Sequence, residues 1–118
     1  MQLRPETLKK YVELGRPILI EVAKGKREGK FITYQQLMDE MGGPGRGYIG
    51  EVLEEICQSE HQEGRPLLSA VVVGSKERHP GKAFWELEFV PESVRNGTKE
   101  VKKKFWEEQC RKVREQWK

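Results

Sequence analysis

Apolar residues recur along this chain first at helical spacing and then, past its midpoint, as a continuous run and an alternation. Leu8, Tyr11, Val12 and Leu14 follow Pro5-Glu6-Thr7, a helix start with Pro near the first position and an acid in the first turn. Gly15-Arg16-Pro17 is expected to break that helix. "PILIEVAKGKREGK" then predicts a second one, with Ile18, Leu19, Val22 and Ala23 on its apolar side, a basic last turn and Gly29 as cap. Phe31 and Ile32 form a short extended piece. Thr33 is set to cap a two-turn helix that turns Leu37 and Met41 inward. Gly42-Gly43-Pro44-Gly45 cannot continue that helix. Another helix runs from about Gly47 to Gln62, burying Ile49, Val52, Leu53 and Ile56 with Cys57 at the border.

The spacing then changes. "GRPLLSAVVVGS" reads as a strand built on Val71, Val72 and Val73, "SKERHPGK" as a turn, and "AFWELEFV" as a second, alternating strand. Residues 67–90 therefore predict a β-hairpin. From Gly97 a last amphipathic helix carries Val101, Phe105, Trp106, Cys110, Val113 and Trp117 on one half of its wheel and Lys103, Lys104, Arg111, Arg114 and Lys118 on the other. Two short helices joined by a Gly/Pro turn and followed by a hairpin are the winged helix-turn-helix pattern. The expectation is one α+β domain: a helical extension over 1–17, a winged-helix core over 18–90 with the hairpin as its wing, and a C-terminal amphipathic helix over 97–118.

Composition narrows the function. The 118 residues suffice for one core, and at 35% charged residues the surface is heavily solvated. No stretch approaches the ~18 apolar residues of a membrane span, and the N-terminus has no secretory apolar core. Cys57 and Cys110 lack tight spacing, so a reduced, cytoplasmic protein is expected. The net charge of +3 is unevenly spread: residues 1–50 carry nine Lys/Arg against six acids, 51–96 five against nine, and 97–118 eight against four. Basic ends permit nucleic-acid contact without forming a continuous stripe.

"GGPGRGYIGEVLEEI" contains a literal G-x-G-x-x-G at Gly45, Gly47 and Gly50. A dinucleotide loop needs a strand before the glycines and an acid about 20 residues later. Here a helix precedes them and the apolar run around Ala70 follows, so a turn between two helices is the better reading, with Gly50 allowing close packing.

At this point the chain resembles the C-terminal domain of the O6-alkylguanine-DNA alkyltransferases and the alkyltransferase-like proteins. The resemblance covers residues 18–84 through "ILIEVAKGKREGKFITYQQLM", "GGPGRGYIGEVL" and "RPLLSAVVV", which are similar in order and spacing to the family's SYG-x-LA, RAVG-x-AL and PCHRV pieces. It implies a DNA-binding winged-helix fold. The family's reactive Cys and adjoining His are missing, since Pro66 is followed by Leu67, Leu68 and Ser69. Thiolate chemistry needs a sulfur with a lowered pKa, and Leu67 offers none. The resemblance therefore implies binding without alkyl transfer. The family Tyr that helps rotate a nucleotide out of the stack matches Tyr34. The family Arg that fills the gap falls at Gly47, one residue from Arg46.

The nucleic-acid candidates are thus Tyr34, Arg46 and Tyr48 at bases, with Lys76, Arg78 and Lys82 of the wing tip on phosphates. Each has a plain counterpart: Tyr34 can simply pack, Arg46 can pair with a carboxylate, and the wing tip can be a solvated turn. Against DNA stand Glu51, Glu54, Glu55, Glu60 and Glu63 on the 47–62 helix, which repel phosphate. The alternative is a protein-interaction module that uses this acidic helix or the aromatic C-terminal helix, the latter also suiting a homodimer face. His61, His79 and the sole aspartate, Asp39, give no metal-ligand spacing, and Glu86 with Glu88 fits a solvated face better than a nuclease site. No catalytic residue, cofactor or metal is expected.

Overall fold

The computed structural model describes residues 2–76 and 78–118. Its elements are α1 (Pro5–Ala23), β1 (Ile32–Thr33), α2 (Tyr34–Met41), α3 (Ile49–Gln62), a 3-10 turn (Leu68–Val71), β2 (Val72–Val73), α4 (Lys82–Trp85), α5 (Glu92–Arg95) and α6 (Lys99–Gln116). The architecture is α+β and mainly helical. Among the described residues the sheet is a parallel pair, with Ile32 opposite Val72 and Thr33 opposite Val73.

The expected break at Gly15–Pro17 is absent, and α1 runs through it. Pro17 costs the helix its own N–H bond, roughly 3 kcal/mol in an interior position. Burial of Leu19 and Val22 beyond it offsets that cost at about 1.5–3 kcal/mol per large side chain. Pro17 itself points to solvent, while Gly15 is buried against Met41 of α2 and Ile56 of α3.

α2 forms as its cap predicts. Thr33 Oγ1 accepts from the Gln36 amide at 3.1 Å, and Gln36 Oε1 accepts from the Thr33 amide at 3.0 Å. Gly42 ends it at φ +76° and Gly43 follows at φ +137°. A side chain at Gly43 would also put its Cβ 2.5 Å from the Tyr11 hydroxyl, so the turn needs glycine there on two counts. The positive-φ glycines are thus Gly42 and Gly43, ahead of the G-x-G-x-x-G positions.

Among the described residues the β-hairpin expected over 67–90 does not form. Residues 67–73 are buried throughout, and Val72–Val73 pair with β1 instead of with residues 82–90. The Ala70 carbonyl turns to α6, where it accepts from Trp106 Nε1 at 2.8 Å. In "AFWELEFV" the buried residues are Phe84, Leu87 and Val90, three apart. That period builds successive turns, closed by Leu87 N to Phe84 O and Val90 N to Leu87 O. Arg95 fixes them by donating to the carbonyls of Trp85, Leu87 and Val90 at 3.1, 2.9 and 3.2 Å.

Two apolar clusters result. The larger joins α1, α2, α3 and the strands around Leu19, Leu37, Val52, Ile56 and Leu68. The smaller collects Cys57, Leu67, Phe84, Leu87, Val90 and Cys110, with Phe105 and Trp106 packed on its edge. The C-terminal helix thus spends much of its aromatic face on its own core, although Val101 stays exposed. At the junction of α1, α3 and α6 lies Glu60, fully buried, accepting from Arg16 Nε at 2.6 Å and from Arg65 Nε. The Trp117 ring covers both guanidiniums at 5.4 and 5.6 Å.

Candidate nucleic-acid interface

Four of the six candidates meet. Tyr34, Arg46, Lys76 and Lys82 line one cleft of about 700 Å³, together with Gly47 and Gly50 at the start of α3. Tyr34 is the first residue of α2, Arg46 belongs to the α2–α3 turn, Lys76 to the loop after β2, and Lys82 opens α4. The parallel pairing of β1 with β2 is what brings the loop after β2 beside the start of α2.

Tyr34 is a strut as well as a wall. Its hydroxyl accepts from the Gly81 amide at 2.8 Å, pinning the 74–82 loop to α2. Burial holds its pKa above the ordinary 10.0, so it stays a neutral donor and acceptor. The loop closes on itself through Gly74 N to His79 O and Arg78 N to Gly74 O, and His79 Nδ1–H donates to the Pro80 carbonyl at 3.0 Å. Gly50 forms the far wall, where an added Cβ would come within 3.1 Å of the Ala83 methyl. That close approach of α3 to α4 is the packing role expected of Gly50.

Two candidates are not brought in. Tyr48 is half-buried just before α3 and does not line the cleft. Arg78 is exposed at φ 59°, a left-handed conformation costly for a non-glycine residue, and also stands outside the cleft lining. Lys82 shares its charge with Glu86 across 3.5 Å, whereas Arg46 and Lys76 have no carboxylate partner among the described residues.

Next to the cleft lies a residue that the spacing of the sequence did not single out. Beneath Tyr34, Gly50 and Ala83 a small enclosed space reaches Ser69, whereas Leu67 is buried in the smaller apolar cluster. The Ser69 hydroxyl lies 3.1 Å from Cys57 Sγ. Burial pushes the Cys57 thiol above its ordinary 9.0, so it is a neutral partner and no base for the hydroxyl. Its position depends on the 3-10 turn, which the apolar run conceals. Among the described residues no three His, Cys, Asp or Glu side chains gather as metal ligands.

The acidic α3 is also partly spent internally. Both carboxylate oxygens of Glu51 accept from the Leu3 amide, at 3.2 and 3.1 Å, and Glu60 is inside the core. The exposed acids Glu54 and Glu63, with the half-buried Glu55, belong to the helix body and its C-terminal end, and none lines the cleft. No described helix is long and apolar enough to cross a membrane. A scan against protein-family models and searches of curated proteins and of solved structures return no match.

Proposed function

We propose that this chain is a non-enzymatic DNA-binding protein of winged-helix type, alkyltransferase-like in mode, with α2 and α3 as its helix-turn-helix. The loop over 74–82 takes the role assigned to a hairpin wing. The carrying observation is the convergence of Tyr34, Arg46, Lys76 and Lys82 on one cleft at the start of α3. First-turn amides of a helix favour phosphate; at the α3 start the Glu51 amide already donates to the Tyr48 carbonyl, so Ile49 and Gly50, which line the cleft, are the ones placed to add to the cationic side chains. The Ser69 hydroxyl, in the small space next to the cleft, faces a neutral thiol instead of a base, which favours binding over transfer chemistry.

The protein-interaction alternative on the acidic helix is weakened by the internal engagement of Glu51 and Glu60. On the C-terminal helix it is weakened by the packing of Phe105 and Trp106. Fluorescence anisotropy with labelled normal duplex, single strand and O6-alkylguanine duplex, at low and near-physiological salt, tests the proposal. The expected result is binding that weakens with salt, with a shallow slope because few phosphates are neutralised. Absence of binding to all three at low salt would overturn it.

A further inference from the structure

A second basic groove, of about 1010 Å³, lies between the end of α1 and α6 and shares no lining residue with the Tyr34 cleft. Its two banks are cationic. Lys24 and Lys30 stand on the α1 side, and Arg114 and Lys118 on the α6 side. None of these four has a carboxylate partner among the described residues, whereas the neighbouring Arg27 and Arg111 are paired with Glu40 and with Glu108 and Glu115. The banks are held together where Arg114 Nη2 donates to the Lys30 carbonyl at 3.3 Å. Glu107 is the one lining acid without such a pair.

Between the banks the floor is apolar: Val22, Ala23, Cys110 and the Phe31 ring. Arg114 sits over Phe31 at 5.1 Å and Trp106 packs on it at 5.4 Å with an interplanar angle of 33°. Trp106 is anchored in turn through Nε1 to the Ala70 carbonyl. A nucleobase needs a free aromatic face to stack on, and Arg114 and Trp106 already pack against the Phe31 ring, which leaves Val22, Ala23 and Cys110 as the unshared part of the floor. A phosphate backbone also gains nothing from an aliphatic floor. A peptide segment with carboxylates for the banks and aliphatic side chains for the floor satisfies both features.

We infer that this groove docks an acidic amphipathic segment of a partner protein, independently of the Tyr34 cleft. The probe is a labelled peptide of about 15 residues, long enough for helix formation, with Leu at i, i+3, i+4 and i+7 and Glu elsewhere. An all-Glu peptide of equal length and an oligo-dT strand serve as comparisons. Anisotropy with the full chain is expected to show binding of the amphipathic peptide that exceeds the all-Glu peptide about tenfold, as loss of the apolar contacts predicts. The double variant Lys30→Glu/Lys118→Glu changes exposed side chains only and is expected to weaken the peptide about tenfold or more. Arg46→Ala is expected to leave it unchanged. NMR shift changes are expected at Phe31, Trp106 and Cys110. Equal binding of the all-Glu peptide, insensitivity to the charge reversal, loss of oligo-dT binding in that same variant, or no peptide binding at low salt would each overturn the inference. Loss of DNA binding in Arg46→Ala alone would bear on the Tyr34 cleft and not on this groove.

Discussion

Arginine is used in opposite ways at the Glu60 junction and at the Tyr34 cleft. At the junction, Arg16 and Arg65 close on a carboxylate with no solvent exposure, and Trp117 roofs the group. At the cleft, where Glu86 pairs with Lys82, Arg46 and Lys76 have no carboxylate partner among the described residues and stand on walls made by glycines and a strut tyrosine. A charge closed on its own chain joins helices, and one left open is available to a ligand. The difference lies less in residue type than in which segments the strands and helices bring opposite one another.

The largest expected effect breaks the closed side. Glu60→Ala leaves the partly exposed Arg16 and Arg65 guanidiniums without their shared carboxylate and opens a space at the junction, and is expected to destabilise by about 2–3 kcal/mol, read as a fall in Tm and in the urea midpoint. A loss under about 1 kcal/mol would mean that the junction relaxes to water and does not join α1 to α3. Arg46→Ala probes the open side. It is expected to leave stability within about 0.5 kcal/mol, while DNA affinity falls about tenfold and the salt slope drops by about one charge. An unchanged slope would remove Arg46 from the phosphate contacts.

Tyr34→Phe tests whether the strut role is separable from packing. The Gly81 amide loses its acceptor, and about 1 kcal/mol of stability should go, seen as a lower urea midpoint at unchanged m-value. Arg78→Gly removes a left-handed conformation that glycine adopts freely. It is expected to raise stability by about 0.5–1 kcal/mol and, since Arg78 is outside the cleft lining, to leave DNA affinity near that of the parent. The smallest effect is alkaline. Burial pushes the Cys110 thiol up to about 11 from an ordinary 9.0. The folded state thus holds that proton more tightly, its contribution is complete below pH 9, and it is lost as pH rises toward about 11. Melting across that window should show a shallower alkaline decline in Cys110→Ala. An identical decline would assign the effect to other groups.

How legible these features were depended on whether a local pattern decided them. Thr33, Gln36 and Gly42 specify α2 within a few residues, and Ile49 to Ile56 specify the buried side of α3 by spacing alone. Pro17 carried a true local signal for a break, yet helix packing on both sides of it prevailed. "AFWELEFV" carries two periods at once. Alternation suggests a strand, but burial of Phe84, Leu87 and Val90 selects the three-residue period, and Arg95, several residues further on, supplies the donors that make those turns stable. In the cleft, Tyr34, Arg46, Lys76 and Lys82 were nameable as candidates because their chemistry is visible in residue type. Neither the place of Ser69 beside the cleft nor the Gly50–Ala83 contact was legible, because both depend on a chain crossing that no short window contains.

The Arg95 clip also has a temporal meaning. A ribosome releases residues 83–90 before it releases Arg95, and α6, which covers the smaller cluster, comes later still. During that interval the emerging segment has an alternating apolar pattern with its carbonyls unclaimed, the condition under which a strand edge recruits other chains. In the folded chain Arg95 claims the Trp85, Leu87 and Val90 carbonyls, so a segment whose residue pattern would suit a strand offers those acceptors to its own side chain instead of to a neighbouring strand.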